Sequence, residues 1–145
     1  MSQIGYSIPV EAPTRVVWEL LTNIQGFPRW MSGVRSARLT DSAFLGKGAQ
    51  LEFQGRGGKH YLEVVDFREE SLIALQVRFK YSLIFRLIHA YWIQPQGDGT
   101  QVTLVELYGG ILGLSMRWLM GRLFKRHLMG TLLSLRELAQ AMYTV

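Results

Sequence analysis

Four side chains that can exchange protons recur at two-residue spacing in the second half of the chain. His89 and Tyr91 form one pair, and Glu106 and Tyr108 form the other. Residues 95–99, PQGDG, predict a hairpin turn, so the two pairs are expected on neighbouring strands and on one face. A carboxyl group beside an imidazole and a phenol in an apolar setting suits general acid–base catalysis. The alternative is that Glu106 pairs with a neighbour or faces water, while the tyrosines only fill space.

The orientation of Glu106 depends on the register of the last strand, predicted over 101–108. Alternation from the start of this strand places Glu106 inward, but it also leaves the apolar Val105 and Leu107 outward. A β-bulge would turn the second half of the strand over. If Glu106 does face inward, we expect a partner such as His89 or a ligand group, because an unpaired buried carboxylate is costly.

Large apolar side chains along the chain are the candidates for lining a cavity. Methionine suits a surface that adapts to irregular ligands. The alternative for each residue is ordinary hydrophobic core. The predicted ligand-binding residues are Phe27, Trp30, Phe53, Phe79, His89, Tyr91, Glu106, Tyr108, Met116, Met120, Leu123 and Phe124.

Basic residues concentrate near the C-terminus. The net charge is +5, and residues 111–145 carry five bases against one acid. Arg117, Trp118, Arg122, Lys125 and Arg126 mix bases with an aromatic ring beside a glycine-rich junction at 108–114. This junction is a candidate gate to the cavity, and the alternative is a plain strand-to-helix turn. Such a face suits anionic lipid headgroups or RNA phosphates, and the alternative is a solvated helix face.

Several function classes lack their signatures. The segment 57–60, GGKH, lacks the P-loop spacing, and no Gly-x-Ser-x-Gly elbow is present. His60, His89 and His127 show no metal-ligand spacing, and there is no cysteine. We therefore predict no metal and no cofactor. Neither a signal peptide nor a membrane-spanning run is recognisable, so a cytoplasmic location is expected.

The elements that must position these residues follow from periodicity. Residues 111–142 predict one long helix, with apolar residues at steps of three and four. Proline at position 13 suits the first turn of a helix over 13–22, and a second short helix is predicted at 27–31. Strands are predicted at 3–8, where Pro9 ends the first, and at 34–40, 50–54, 60–67, 73–80, 83–94 and 101–108. Short turns between consecutive strands give an antiparallel meander, whose apolar face must meet the helix.

The chain resembles the START/Bet v1-like (SRPBCC) superfamily, and within it the bacterial polyketide cyclase/dehydrase and lipid-transport proteins. The resemblance is carried by 8–13 (IPVEAP), 17–21 (VWELL), 27–31 (FPRWM), 97–102 (GDGTQV) and the leucine-rich last helix. It covers essentially the whole chain and implies an α+β helix-grip fold. In that fold a curved antiparallel sheet of about seven strands wraps around a long C-terminal helix. The resemblance also implies one domain over 1–145 with an internal apolar cavity.

Three functions stay open at this point. The first is a non-catalytic carrier of a small hydrophobic molecule (a lipid, an isoprenoid or a polyketide-like compound). The second is a cyclase or dehydratase that uses Glu106, His89 and Tyr91. The third is an interaction module acting through the basic helix on an anionic membrane or a protein partner, with nucleic acid less favoured and a homodimer left open.

Overall fold

The computed structural model describes residues 2–40, 43–81 and 83–144, with the side chains of Ser2 and Phe124 excepted. Within these residues the chain forms one seven-stranded sheet, two α-helices and a 3₁₀ helix. The elements in order are β1 (Ser2–Val10), α1 (Thr14–Thr22), the 3₁₀ helix (Ile24–Arg29), β2 (Val34–Leu39), β3 (Gln50–Gly55), β4 (Gly58–Arg68), β5 (Leu72–Val77), β6 (Arg86–Gln96), β7 (Gly99–Gly109) and α2 (Gly113–Thr144).

The sheet is antiparallel throughout, in the order β1-β7-β6-β5-β4-β3-β2. Six strands follow one another as a meander, and β1 joins the far edge beside β7. The long helix α2 packs on the inner face against β1 and β7. The predicted helix-grip architecture is therefore confirmed, with two short helical segments after the first strand.

Local boundaries differ from the sequence prediction at several elements. Pro9 does not end β1, which continues to Val10; β1 is an edge strand, where a residue without an N–H is tolerated. The short helix after α1 begins at Ile24, three residues earlier than predicted. The strand predicted over 73–80 stops at Val77, because the chain turns at Tyr81, whose carbonyl accepts the amides of Ile84 and Phe85. The strand predicted from residue 83 therefore begins only at Arg86.

The last strand keeps one register along its whole length. Burial alternates from Thr100 to Tyr108 without a bulge, so Glu106 and Tyr108 both face inward. Val105 faces outward without exposing an apolar surface, because it packs on a small cluster formed by Leu72, Ala74 and Ala90. The outer cluster thus resolves the conflict that the sequence pattern raised.

The two halves of α2 are packed very differently. In the C-terminal half, Leu128, Leu132, Leu135 and Ala139 are almost fully buried in the main core. In the N-terminal half, several large apolar residues are exposed, among them Leu114 and Trp118. In the described part of the chain, no helix is both long and apolar enough to cross a membrane.

Candidate ligand-binding cavity

A cavity lies between the inner face of the sheet and the middle of α2. Its volume is about 320 Å³, at the lower end of the roughly 300–1,000 Å³ that ligand pockets occupy. The sheet contributes Phe53, His60, Leu62, Leu75, Val77, Leu87, His89 and Tyr91, and the segment after β5 contributes Phe79. The opposite wall consists of Met31, Ser32 and Val34 together with His127, Leu128 and Thr131 of α2.

Strand alternation explains why these side chains meet. Residues two apart on a strand point to the same face, so β6 directs Leu87, His89 and Tyr91 inward together. On the other wall, the backbone N–H of Ser32 donates to Thr131 Oγ1 at 3.3 Å. This bond holds the segment after the 3₁₀ helix against α2 at the edge of the cavity.

All three histidines of the chain line this cavity. His60 and His127 also border an adjoining groove lined by Gly33, Arg35 and residues 55–57, so they lie where the two volumes meet. His89 is more enclosed, and burial lowers its pKa to about 4, with a smaller contribution from His127. His89 is therefore neutral at pH 7. No group of three or more metal-ligating residues occurs among the described residues.

Two side chains of β7 stand directly behind His89. His89 and Glu106 are opposite each other in the β6–β7 pairing, and His89 Nδ1 lies 3.9 Å from Glu106 Oε2. The Tyr108 hydroxyl donates to the same Oε2 at 2.9 Å. Burial raises the pKa of Glu106, opposed by the Tyr108 hydrogen bond and by His127. Burial, together with the nearby Glu106, also raises the pKa of Tyr108 above its ordinary value.

Among the described residues, the remaining oxygen of the Glu106 carboxyl group has no hydrogen-bond partner. Glu106 Oε1 is buried without a hydrogen bond within the described structure, and the same holds for Trp30 Nε1. Trp30 packs edge-on against Tyr91, with ring centroids 5.7 Å apart. Burial raises the pKa of Tyr91 as well, with a smaller contribution from Glu106, so its phenol stays protonated and can donate a hydrogen bond. Two residues with an unsatisfied polar atom therefore lie beside the cavity wall, with Glu106 next to His89 and Trp30 next to Tyr91.

Residues 1–140 match the family model described as polyketide cyclase/dehydrase and lipid transport. The chain belongs to this family. No curated protein matches it at a significant level.

Solved structures from several bacteria share the fold of this family member. The Zhui aromatase/cyclase from Streptomyces sp. R1128 has a TM-score of 0.74 at 14% identity, covering 96% of this chain and 93% of that one. A START superfamily protein from Mycobacterium smegmatis has a TM-score of 0.70 at 16% identity, covering 93% and 97%. A protein from Thermus thermophilus has a TM-score of 0.72 at 21% identity, covering 97% and 99%. At these identities the likeness concerns the fold alone.

Within this family fold, the predicted ligand-binding residues are found in three settings. Phe53, Phe79, His89 and Tyr91 line the cavity. Phe27, Trp30, Glu106 and Tyr108 are buried directly behind its walls; for example, Phe27 packs edge-on against both Trp30 and Phe53. Met116, Met120 and Leu123 lie on the N-terminal half of α2 outside the cavity lining, with Leu123 largely exposed. The side chain of Phe124 lies outside the described part of the structure.

The cavity wall also contains residues that the sequence pattern did not single out. His60, His127 and Thr131 belong to it, together with Met31, Ser32 and Val34. The helical period places Thr131 beside Leu132 on the buried face, which was a usable signal. His60 and His127 gave none, because their position at the opening depends on the curvature of the sheet and on where α2 crosses it.

Proposed function

We propose that this protein binds a small, mainly apolar molecule in the cavity between the sheet and α2. The observation that carries the proposal is a cavity of about 320 Å³ walled mainly by aliphatic and aromatic side chains, with His89 and Tyr91 of β6 among its polar groups. Burying apolar surface contributes about 25 cal/mol per Å², so such walls suffice for binding. His89 and Tyr91 favour a ligand that carries a hydrogen-bonding group, for example a carbonyl. Membership of a family that includes lipid transport supports this class of ligand.

A cavity-filling variant tests the proposal. Val77 is a half-buried valine in the cavity wall, and Val105 is a half-buried valine on the outer face of the same sheet. The probe is the neutral dye N-phenyl-1-naphthylamine, followed by its fluorescence. We expect saturable binding to the wild type and to Val105→Trp, and at least a tenfold weaker affinity in Val77→Trp, because the indole occupies the cavity.

Circular dichroism and thermal unfolding of both variants provide the control, since overpacking can destabilise a core by about 1–3 kcal/mol. Equal affinity in a folded Val77→Trp variant would place the dye elsewhere and contradict the proposal. Mass spectrometry of organic extracts from the native protein is the complementary measurement, and a stoichiometric apolar compound that is missing from Val77→Trp would support it.

We propose acid–base chemistry on the bound ligand as a second function, of the cyclase or dehydratase type. It is favoured by one specific arrangement: a neutral His89 open to the cavity, with Glu106 and Tyr108 behind it. An imidazole nitrogen of His89 would take a proton from the carbon beside a ligand carbonyl. The Tyr91 hydroxyl would donate a hydrogen bond to the carbonyl oxygen as it gains negative charge. Glu106 is then a positioning residue, since it contacts His89 rather than the cavity.

Deuterium exchange tests this step without the natural substrate. The probe is 4-phenylbutan-2-one in D₂O, and NMR follows the loss of its α-protons. We expect the wild type to accelerate exchange above the buffer rate, His89→Gln to abolish the acceleration, and Glu106→Gln to shift its pH profile. A wild-type exchange rate equal to the rate in buffer would contradict the catalytic proposal. It would leave the binding proposal untouched, because that proposal is tested by the dye titration.

A further inference from the structure

Two segments that are distant in sequence form one surface at the N-terminal end of α2. The backbone N–H of Ile111 donates to the carbonyl of Leu83 at 3.1 Å, and that of Leu112 donates to the carbonyl of Ile84 at 2.8 Å. These bonds join the turn between β5 and β6 to the junction that leads into α2. The described residues of two segments, 78–86 without Ser82 and 110–126, therefore make up one feature, the basic apolar surface.

Large apolar side chains of this surface project into solvent. Leu83 and Ile111 are 85% and 82% exposed, and Leu114 and Trp118 are 70% and 67% exposed. Trp118 follows Leu114 by four residues, so both lie on one side of the first turns of α2. A contiguous exposed apolar patch marks a site of interaction, whereas isolated exposed residues need no explanation.

The charge of the basic apolar surface has a single sign. Its two segments contain seven bases and no acidic residue, whereas the rest of the chain carries nine bases and eleven acids. The guanidinium of Arg122 lies 5.8 Å from the centre of the Trp118 ring, which places a base directly beside an exposed aromatic side chain. Tryptophan concentrates at the boundary between hydrocarbon and headgroups, and bases are attracted to anionic headgroups.

We propose that the basic apolar surface docks on a lipid bilayer containing anionic headgroups, with Leu83, Ile111 and Trp118 inserted at the level of the headgroups. This goes beyond binding of a guest in the cavity. A second copy fits less well, because a twofold contact would bring two clusters of seven bases together. Single-stranded RNA also fits less well, since its bases stack on aromatic rings, whereas the three most exposed apolar side chains of this surface, Leu83, Ile111 and Leu114, are aliphatic.

Vesicle flotation tests the proposal with the full-length protein. The vesicles are phosphatidylcholine alone, or phosphatidylcholine with about one-third phosphatidylglycerol, an anionic fraction that gives a negative surface potential. We expect at least tenfold tighter binding to the anionic vesicles, weakening as salt is raised because surface charges are screened. No binding to the anionic vesicles, or equal binding to both kinds, would overturn the proposal.

Two pairs of variants separate insertion from general attraction. Leu83→Ser with Ile111→Ser should weaken vesicle binding at least fivefold and leave the fold intact, since both side chains are mostly exposed. Phe44→Ser, another largely exposed apolar residue but outside both segments, is the matched control and should bind as the wild type does. Equal loss in the control would contradict a defined docking surface.

The charge variants follow the same design. Arg122→Glu with Arg126→Glu should weaken binding at least tenfold, whereas Arg15→Glu with Arg29→Glu changes the net charge equally outside both segments. Equal loss in both double variants would mean diffuse attraction and overturn the proposal. Two other results would also overturn it. One is a concentration-dependent dimer that Leu83→Ser with Ile111→Ser abolishes. The other is a protein that does not bind vesicles but binds RNA through Arg122 and Arg126.

Discussion

His89 and Glu106 face each other across two paired strands, with 3.9 Å between Nδ1 and Oε2. This separation would permit an ion pair, but burial lowers the pKa of His89 to about 4 and raises that of Glu106. Both directions disfavour the charged forms, and the distance exceeds that of a hydrogen bond. We therefore describe the contact as one between a neutral imidazole and a carboxyl group whose ionisation is resisted by its surroundings.

The stability of the protein should depend on pH through His89. In the unfolded chain its pKa is near 6.5, and in the native state it is about 4. Between these values the unfolded state binds more protons, so the free energy of unfolding should fall by about 2 kcal/mol as the pH is lowered through this window. Urea denaturation at a series of pH values measures this loss.

Two variants isolate the contribution of His89. His89→Gln should show a smaller loss of unfolding free energy between pH 6.5 and 4 than the wild type. His60→Gln, at the exposed edge of the cavity, still contains the buried His89 and should keep the wild-type slope. Identical slopes in the wild type and His89→Gln would contradict the assignment.

Glu106 and Glu52 are both buried glutamates, but their surroundings differ. Glu52 accepts from Arg38 at 3.0 Å and lies 4.0 Å from Lys59, whereas Glu106 Oε1 has no partner within the described structure. The raised pKa of Glu106 means that its carboxyl group reduces the free energy of unfolding as pH rises through its folded pKa.

Neutral replacement of the two glutamates should therefore act in opposite directions. At pH 7.5, Glu106→Gln should raise the free energy of unfolding by on the order of 1 kcal/mol, because the neutral amide lacks the pH-dependent cost that the raised pKa of Glu106 imposes on the folded state. Glu52→Gln should lower it by a similar amount, because Arg38 loses its charged partner. Chemical denaturation measures both, and a loss of stability in Glu106→Gln would refute the interpretation.

For individual residues, the sequence indicated which side chains share a face of a strand, but it did not indicate how the sheet curves. Alternation favoured one face for His89, Tyr91, Glu106 and Tyr108 but left a bulge in the last strand open, and the observed register places all four inward. Alternation could not show that the cavity reaches His89 and Tyr91 but stops short of Glu106. That boundary depends on the distance between α2 and each strand, which no local pattern encodes.

Among the elements, the junction between β7 and α2 is more constrained than its glycines suggested. Gly110 has φ +84°, and a Cβ there would lie 2.6 Å from the Ile84 carbonyl oxygen and 2.8 Å from the Phe85 nitrogen. The next two residues, Ile111 and Leu112, donate their backbone hydrogen bonds to the carbonyls of Leu83 and Ile84. Glycine is therefore needed at this position for a close approach of two backbones, rather than for the flexible gate that the composition suggested.

Alanine substitutions at Gly110 and Gly130 should show whether glycine is needed at the junction. Gly110→Ala should lower the free energy of unfolding by at least about 2 kcal/mol, because it combines an unfavourable φ with backbone clashes. Gly130→Ala lies inside α2 with no atom within 4 Å of the new Cβ, and should raise it by up to about 1 kcal/mol through helix propensity. Thermal denaturation measures both, and a neutral Gly110→Ala would show that the junction adapts.

For the whole molecule, α2 combines a deeply packed half with a sparsely packed half. Leu128, Leu132, Leu135 and Ala139 attach the C-terminal half to the main core, and the backbone of Glu11 donates to Gln140 at 2.9 Å. The N-terminal half contacts β1 mainly near Gly121 and Arg117, whose Nε donates to the Gln3 carbonyl. Regions with few buried apolar contacts open at lower free energy.

Hydrogen exchange should therefore divide α2 near its middle. We expect amides of residues 128–142 to exchange only through global unfolding, whereas amides of 115–127 exchange by local opening at a free energy several kcal/mol lower. Native-state exchange followed by mass spectrometry measures the difference. Uniform protection along the helix would show that its two halves open together.

The overall architecture was predictable because two periodicities, of two and of about 3.6 residues, divide this sequence cleanly into strands and one long helix. The amphipathic pattern over 111–142 predicted α2 to within two residues at each end. The predicted ligand-binding residues Met116, Met120 and Leu123 lie on the N-terminal half, but none of them lines the cavity and Leu123 is largely exposed. A helical period gives direction around an axis, but it cannot show where the opposing sheet ends.

Phe79 lines the cavity, is 39% exposed and belongs to one of the two segments of the basic apolar surface. Under the two proposals above, a guest that leaves past this ring while the protein is docked would reach the bilayer surface without first acquiring a full hydration shell. The barrier for its transfer then omits the roughly 25 cal/mol per Å² of apolar surface that water would impose. The rate at which the bound guest is transferred to vesicles should accordingly scale with the frequency of collisions between protein and vesicle. It should not depend on the aqueous solubility of the guest.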